Sequence, residues 1–168
     1  MMTKKSNWIA KLIMTGTLML LASSAYAAGN NGWSLGPGVN NIGDSDISVT
    51  NGVISVGYRS SDAFAYELSI GGGGSTKWSG VDIDVDYYAA QRFKFGGRSR
   101  NFYYYGSVGY ATFQLGSNYA TAEGDGFSAG IGMETVLSRN WLFNLAYDRG
   151  FNDLEDADIF SLKFRYLF

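Results

Sequence analysis

Three aspartates at alternate positions form the densest group of potential metal ligands in this chain. Asp82, Asp84 and Asp86 are separated by single apolar residues within the stretch 81–87. On a β-strand, alternate side chains share a face and lie about 6.6 Å apart, from a rise of about 3.3 Å per residue. A calcium ion holds its oxygen ligands at about 2.4 Å and cannot easily collect all three. Two of the carboxylates with a loop carbonyl could hold one ion, but the pattern favours a solvated row of acids.

The side chains that most enzymes use are missing from the sequence. There is no histidine, so the usual general base and metal ligand are excluded. There is also no cysteine, so the fold does not depend on disulfides. Ser107, Ser128 and Ser161 have no adjacent base to activate their hydroxyls, and polar packing is the simpler interpretation. The sequence therefore predicts a protein that is not an enzyme and has no cofactor and no metal site.

The last nine residues indicate which elements carry the charged side chains. The even positions from Phe160 to Phe168 are large and apolar, whereas Ser161, Lys163 and Arg165 between them are polar. A period of two predicts a β-strand with one apolar and one polar face. A soluble protein rarely places an amphipathic strand with an aromatic ending at its terminus, where the chain usually frays. A strand that closes a membrane barrel has this pattern.

The same alternation recurs along the chain and predicts the fold. The predicted strands are residues 33–42, 49–59, 63–71, 81–95, 102–114, 127–137, 141–149 and 157–168. Pro37 interrupts the first strand, and Asn51-Gly52 predicts a bulge in the second. The connections alternate between short turns (60–62, 96–101, 138–140) and longer loops (43–48, 72–80, 115–125, 150–156). Together these features predict an all-β fold, an eight-stranded antiparallel up-and-down transmembrane β-barrel.

The polar faces of these strands would point into the lumen of the barrel. The charged residues with that parity are Arg59, Glu67, Asp82, Asp84, Asp86, Arg92, Lys94, Glu134, Asp148, Lys163 and Arg165. Six acids and five bases in an interior only just wide enough for side chains predict an ion-pair network that fills the lumen. The alternative is a narrow, porin-like channel for small solutes or ions, because the acids would gather toward the outside and the bases toward the periplasm.

The first 27 residues predict export. Three lysines within the first 11 residues precede an apolar stretch at 12–22, which is shorter than the roughly 20 residues of a membrane-spanning helix. Ala25-Tyr26-Ala27 has the small-x-small pattern of a cleavage site. We predict a cleaved signal peptide at 1–27 and a single barrel domain at 28–168. Without the three lysines, ten basic residues stand against 15 acidic ones, a net charge of −5, which argues against a nucleic-acid partner.

Several stretches of the chain resemble the small outer-membrane β-barrel family of the OmpA/OmpX type. They are Val-Gly-Tyr-Arg at 56–59, Phe-Ala-Tyr-Glu-Leu at 64–68, Tyr-Gly-Ser-Val-Gly-Tyr at 105–110, Gly-Ile-Gly-Met-Glu at 130–134 and the final Tyr-Leu-Phe. The resemblance implies residence in the outer membrane of a Gram-negative envelope, among its lipid and lipopolysaccharide. It also implies escort by periplasmic chaperones and insertion by the barrel-assembly machinery, with Phe164, Tyr166 and Phe168 as the signal that the machinery reads.

The outer loops hold the remaining candidate contacts. Trp78 and Tyr119 are aromatic residues in the predicted loops 72–80 and 115–125, and loops on a rigid scaffold are where binding usually occurs. We therefore predict a monomeric, non-enzymatic envelope barrel with a structural or surface-interaction role, and an extracellular ligand held by these loops is one possibility. The narrow channel is the alternative. A lipid-modifying enzyme is more remote, since the barrel enzymes of that kind rely on a histidine that this chain lacks.

Overall fold

The computed structural model describes residues 32–43, 47–151 and 157–168, so the predicted signal peptide at 1–27 lies outside the described residues. The described chain forms nine β-segments: β1 (Gly32–Gly43), β2 (Ser48–Arg59), β3 (Phe64–Gly72), β4 (Ser75–Trp78), β5 (Val81–Ser99), β6 (Phe102–Ser117), β7 (Thr121–Ser138), β8 (Trp141–Gly150) and β9 (Asp158–Leu167). Among the described residues, no helix is long and apolar enough to cross a membrane.

The nine segments build a closed barrel of eight strands, which confirms the predicted fold. The sheet order is β3-β2-β1-β9-β8-β7-β6-β5-β4, and β3 also pairs with β5. Both β3 and β4 run antiparallel to β5, and Gly73–Gly74 separates them. They are therefore two parts of one barrel strand. β1 closes the barrel by pairing with β2 on one side and β9 on the other, so the sheet has no open edge there.

The two ends of the barrel differ in their connections. One end, here called the terminal end, holds Gly32, Phe168 and the connections 60–63, 100–101 and 139–140. The other, here called the loop end, holds the strand ends at Gly43, Ser48, Gly150 and Asp158 and the connections 79–80 and 118–120. Much of the chain predicted as loop at 72–80 and 115–125 is strand instead. β4 and β5 form a hairpin around Ser79 and Gly80, whose φ angles are 49° and 83°, as a tight two-residue turn requires.

The register of β2 is also simpler than the sequence predicts. Asn51 and Gly52 pair regularly with Asn40 and Val39, so the predicted bulge at this position is wrong. The irregularities lie elsewhere, between Val85 and Tyr87 in β5 and between Val136 and Ser138 in β7. A bulge moves the following side chains to the opposite face of a strand, which has a large effect on the placement of the charged residues.

The interior has two layers of different character. Toward the loop end, an apolar cluster fills the lumen with Ile42, Val49, Val53, Val85, Tyr88, Ala90, Ala111, Ala157 and Ile159. Toward the terminal end, the interior side chains are charged or polar, and they include Glu67, Lys94, Glu134, Lys163 and Arg165. Between the two ends, the outer wall is apolar and exposes Ile54, Phe95, Ile131, Leu145 and Phe160, among others. This inversion of a soluble protein's pattern is typical of a barrel surrounded by lipid.

Candidate functional site: the buried ion-pair network

Eight of the eleven charged residues predicted for the lumen lie inside the barrel. They are Arg59, Glu67, Arg92, Lys94, Glu134, Asp148, Lys163 and Arg165, and none is more than 7% exposed. They come from six barrel segments, β2, β3, β5, β7, β8 and β9. Each takes its place from the strand period, since alternate residues on these segments point inward.

The carboxylate of Glu67 is the centre of the network. The ammonium groups of Lys163 and Lys94 lie 2.5 Å and 2.7 Å from its oxygens. The guanidinium of Arg165 lies at 3.0 Å and that of Arg92 at 3.8 Å. One buried acid therefore stands against four cations. Removing one partner from a buried, hydrogen-bonded ion pair of this kind destabilises a protein far more than breaking a surface pair.

Glu134 is the second centre, and the two centres share cations. Its carboxylate accepts hydrogen bonds from Lys94 at 2.9 Å and from Arg165 at 2.5 Å. Arg59 donates to its other oxygen. Because Lys94 and Arg165 contact both glutamates, the groups from β2, β3, β5, β7 and β9 form one connected unit across the lumen.

Asp148 extends the network toward the loop end. The Nε of Arg92 lies 2.9 Å from one oxygen of Asp148, and the Ser107 hydroxyl donates to the other at 2.7 Å. Arg92 also donates to the hydroxyl oxygen of Tyr88 at 2.8 Å. Since Tyr88 belongs to the apolar cluster, this contact joins the two interior layers.

Two interior tyrosines, which the predicted lumen residues do not include, complete the layer. Tyr103 and Tyr105 stack at 5.6 Å between ring centroids. The guanidinium of Arg59 lies 3.7 Å from the centroid of Tyr103, and the Lys94 ammonium lies 4.6 Å from that of Tyr105, which are cation–π contacts. Their odd numbers match the parity of Ser107 on the same strand, and that signal could have placed them inside.

Glycines make room for the large interior side chains. Glu67, Arg92, Asp148, Lys163 and Tyr105 each face a glycine across the adjacent strand, namely Gly57, Gly109, Gly130, Gly38 and Gly132. A Cβ at Gly132 would collide with the ring of Tyr105. Because each large side chain lies opposite a glycine, the narrow barrel has room for its long charged residues.

The prediction that Asp82, Asp84 and Asp86 face the lumen is wrong. All three are exposed, whereas Val85 between them is 2% exposed and belongs to the apolar cluster. The bulge after Val85 leaves Asp86 without a partner in β6. Even-numbered residues after the bulge, such as Arg92 and Lys94, point into the barrel, whereas odd-numbered residues do so before it.

With the three aspartates outside the lumen, the charge balance of the interior differs from the prediction. Among the described residues, the buried charges are five bases and three acids rather than nearly balanced. The Asp82 carboxylate lies 3.7 Å from the Lys77 ammonium on the exposed face. No group of three or more acidic, histidine or cysteine side chains in the described chain is arranged to hold a metal ion.

The remaining candidate residues lie at the two ends and on the wall. Tyr119 lies in the turn between β6 and β7 and is 85% exposed. Trp78 is the last residue of β4, beside the Ser79–Gly80 turn. Phe164, Tyr166 and Phe168 point outward near the terminal end. Their predicted roles in ligand contact and in assembly stay predictions.

Neither the three serines nor the larger of the two described depressions resembles an active site. Ser107, Ser128 and Ser161 are buried in the interior, out of reach of a substrate. The larger depression, of about 740 Å³, lies on the outer wall and is lined by apolar residues such as Phe95, Tyr104, Ile131, Leu145 and Phe160. A groove of this kind faces lipid and carries no nucleophile with a base.

Known structures share this architecture. OprG from Pseudomonas aeruginosa superposes with a TM-score of 0.58 at 14% identity, over 83% of this chain and 98% of that one. Neisserial surface protein A gives 0.56 at 14% identity, over 85% and 100%. Ail of Yersinia pestis, in complex with the heparin analogue sucrose octasulfate, gives 0.52 at 14% identity, over 81% and 96%. At these identities the likeness shows the fold alone. No curated protein sequence matches the chain significantly.

Closed topology, an apolar wall and a charged interior define the class: a small transmembrane β-barrel. The family model for the outer membrane protein beta-barrel domain matches residues 14–168. The chain therefore belongs to that family, as the sequence resemblance predicts, and it is a small outer-membrane barrel with a buried ion-pair network.

Proposed function

We propose that this protein is a non-enzymatic, non-conducting barrel that acts through the surface it presents at its loop end. The best support for a sealed lumen is that two filled layers, one apolar and one of ion pairs, lie one after the other along the barrel axis. An ion crossing the barrel would have to pass the apolar cluster around Val49, Val85 and Ile159. It would then have to displace the ion pairs of Glu67 and Glu134. Conduction requires a continuous hydrated path, and the packing of both layers supports a barrel without one.

The proposed orientation places the terminal end in the periplasm and the loop end outside the cell. Outer-membrane barrels have short periplasmic turns and longer extracellular connections. The signal peptide at 1–27 would direct export, and the domain at 28–168 would insert as a monomer among lipid and lipopolysaccharide. In this orientation the β4–β5 and β6–β7 hairpins project from the cell.

Single-channel recording of the refolded protein in a planar bilayer tests the sealed lumen. We expect a heat-modifiable, inserted barrel without steady conductance. Replacing Asp82, Asp84 and Asp86 with Asn should change nothing, because these residues are outside the lumen. Steady conductance whose cation selectivity falls in the triple variant would instead support the narrow channel.

The chemistry of the projecting hairpins indicates what kind of partner they suit. Asp82, Asp84, Asp86, Glu123 and Asp125 are exposed on the loop-end parts of β5 and β7. Lys77 is a basic neighbour of this acidic row, across from Asp82. Exposed Tyr119 adds an aromatic contact at the tip of the β6–β7 hairpin. We infer a cationic partner, because complementary charge steers association.

This inference separates the protein from Ail, whose crystal structure holds a sulfated heparin analogue. A sulfated polyanion would be repelled by five carboxylates. Capture of the nanodisc-embedded barrel on polylysine and on heparin surfaces compares the two. We expect retention on polylysine at low salt, weakened by combined Asp84→Asn and Glu123→Gln, with Arg98→Gln at the other end as control. Retention on heparin alone would contradict the proposal.

A further inference from the structure

The corrected charge balance leaves an excess of positive charge in the barrel. Five buried bases face three buried acids among the described residues. Every buried charge loses its hydration, at a cost of several kcal/mol unless it is paired. The excess of cations in this layer therefore favours the binding of an anion wherever the interior has room for one.

A small cavity lies beside three of these bases. At the terminal end, a space of about 10 Å³ is lined by the side chains of Arg59, Lys94 and Arg165, by Glu134, and by Ser34. Three positive charges and one negative charge thus surround a volume that can hold a single water-sized species. The size excludes phosphate and larger anions, and the charge favours a monatomic anion over water.

Two donors of the arginines that line this cavity have no hydrogen-bond partner among the residues that the structure describes. They are the Nη1 of Arg59 and the Nε of Arg165, and the residues are only 7% and 2% exposed. Buried guanidinium donors are normally satisfied. The Nη2 of each arginine already donates to Glu134, and the Nη1 of Arg165 lies 3.0 Å from Glu67. The guanidinium planes are therefore fixed while an N–H of each is left for a ligand.

Gly57 leaves room for the Arg165 guanidinium beside the cavity. A Cβ at this position would fall against that guanidinium and 2.8 Å from the Ser34 hydroxyl oxygen, and all three residues line the cavity. Any side chain here would therefore displace one of the two donors. Gly52, on the same strand, has no atom closer than 3.9 Å to such a Cβ.

We propose that this cavity is a binding site for one chloride ion. The ion accepts hydrogen bonds from Arg59 and Arg165 and offsets part of the positive excess. Glu134 opposes it, and Glu67 shares Lys94 and Arg165, but the described interior as a whole holds two more bases than acids. The site is independent of the surface role proposed above, because it lies at the other end of the barrel.

Line broadening of ³⁵Cl in NMR of the refolded barrel in micelles tests the site. We expect a saturable broadening that bromide displaces in the unmodified protein and in the control variants Gly52→Ala and Lys77→Gln. Gly57→Ala and Arg59→Gln should weaken apparent chloride affinity by about tenfold or more, the effect of losing one charge-assisted hydrogen bond. Equal broadening in all five proteins would overturn the proposal.

Crystals grown in bromide decide the question without any variant, which matters if Arg59→Gln does not fold. Anomalous scattering within hydrogen-bond distance of Arg59 Nη1 and Arg165 Nε would support the site. The absence of an anomalous peak there at saturating bromide would overturn it, and the donors would then be satisfied by water.

Discussion

At the scale of single residues, Glu67 is the acid on which the interior depends most. Lys94, Lys163 and Arg165 lie within 3.0 Å of its carboxylate, and Arg92 is 3.8 Å away. The interior already holds more bases than acids. Loss of this carboxylate would therefore leave several cations repelling one another in a space that water does not reach.

We expect Glu67→Gln to lower the free energy of unfolding by about 3 to 5 kcal/mol, the effect of removing one partner from a buried ion pair. Urea unfolding in lipid vesicles, followed by tryptophan fluorescence, measures the change. Asp82→Asn is the matched control, because its carboxylate is 54% exposed beside Lys77, and a shift within about 0.5 kcal/mol is expected. Similar losses in both variants would show that burial of the acid is unimportant.

Gly132 is the residue that admits the Tyr105 ring. Because a Cβ at Gly132 would collide with the ring, Gly132→Ala should displace it from its stack with Tyr103 and its 2.6 Å hydrogen bond with Asn144. We expect a loss of about 1 to 3 kcal/mol, as for overpacked cores, seen as a lower temperature for the heat-modifiable gel shift. Gly106→Ala should be tolerated, since the nearest atom to its Cβ position, the Gly130 carbonyl oxygen, is 3.8 Å away. If Gly106→Ala is as damaging as Gly132→Ala, steric fit inside the barrel is not the cause.

At the scale of elements, the strand period accounts for what the sequence could predict. Alternation placed eight charged residues in the interior and gave the correct number of barrel strands, including the Pro37 strand. Pro37 is accommodated because its side chain points outward, and the ladder to β9 skips positions 36 and 37. A period of two is thus informative wherever one face meets lipid and the other the lumen.

The same period could not locate the bulge in β5. Residues 81–87 alternate without a break, and the choice of a bulge at Asp86 depends on pairing with β6, which is a contact distant in sequence. The adjacent Tyr87 and Tyr88 are the local sign of a change in parity. Beyond the lipid, both faces of a strand are wet, so the loop-end parts of β4 and β7 carry no apolar stripe and resemble loops.

Cysteine labelling tests the reversed parity, and the absence of native cysteine makes single variants easy to interpret. We expect Asp84→Cys to react quickly with a membrane-impermeant maleimide in the folded barrel, whereas Val85→Cys, at 2% exposure in the native residue, should be protected. Tyr119→Cys is the fully accessible reference. Faster labelling at position 85 than at 84 would mean that the aspartates face inward after all.

At the scale of the whole molecule, the barrel separates three tasks along its axis. The terminal end holds the ion pairs that join distant strands, the apolar cluster closes the lumen above them, and the exposed hairpins carry an acidic face outward. In the sealed barrel that we propose, specific contacts with other molecules are left to the ends and the outer wall.

The end of the chain is where assembly, rather than stability, should be affected. Phe168 is 69% exposed, its ring contacts Tyr166 at 5.4 Å between centroids, and its backbone N–H donates to the Trp33 carbonyl at 2.9 Å. Alanine at this position keeps the backbone bond and loses one ring pair. The refolded barrel should therefore lose no more than about 1.5 kcal/mol.

In cells, however, we expect Phe168→Ala to reduce the amount of folded protein in the outer membrane several-fold, if the terminal aromatic is the feature that the assembly machinery reads. Heat-modifiability of outer-membrane fractions, compared with unfolding of the refolded protein, separates the two effects. Phe160→Ala is the matched control, because it lies on the same face of β9 and is 54% exposed. Normal membrane levels of Phe168→Ala would show that the signal lies elsewhere in β9. A matching fall for Phe160→Ala would show that any loss of an outward ring has this effect.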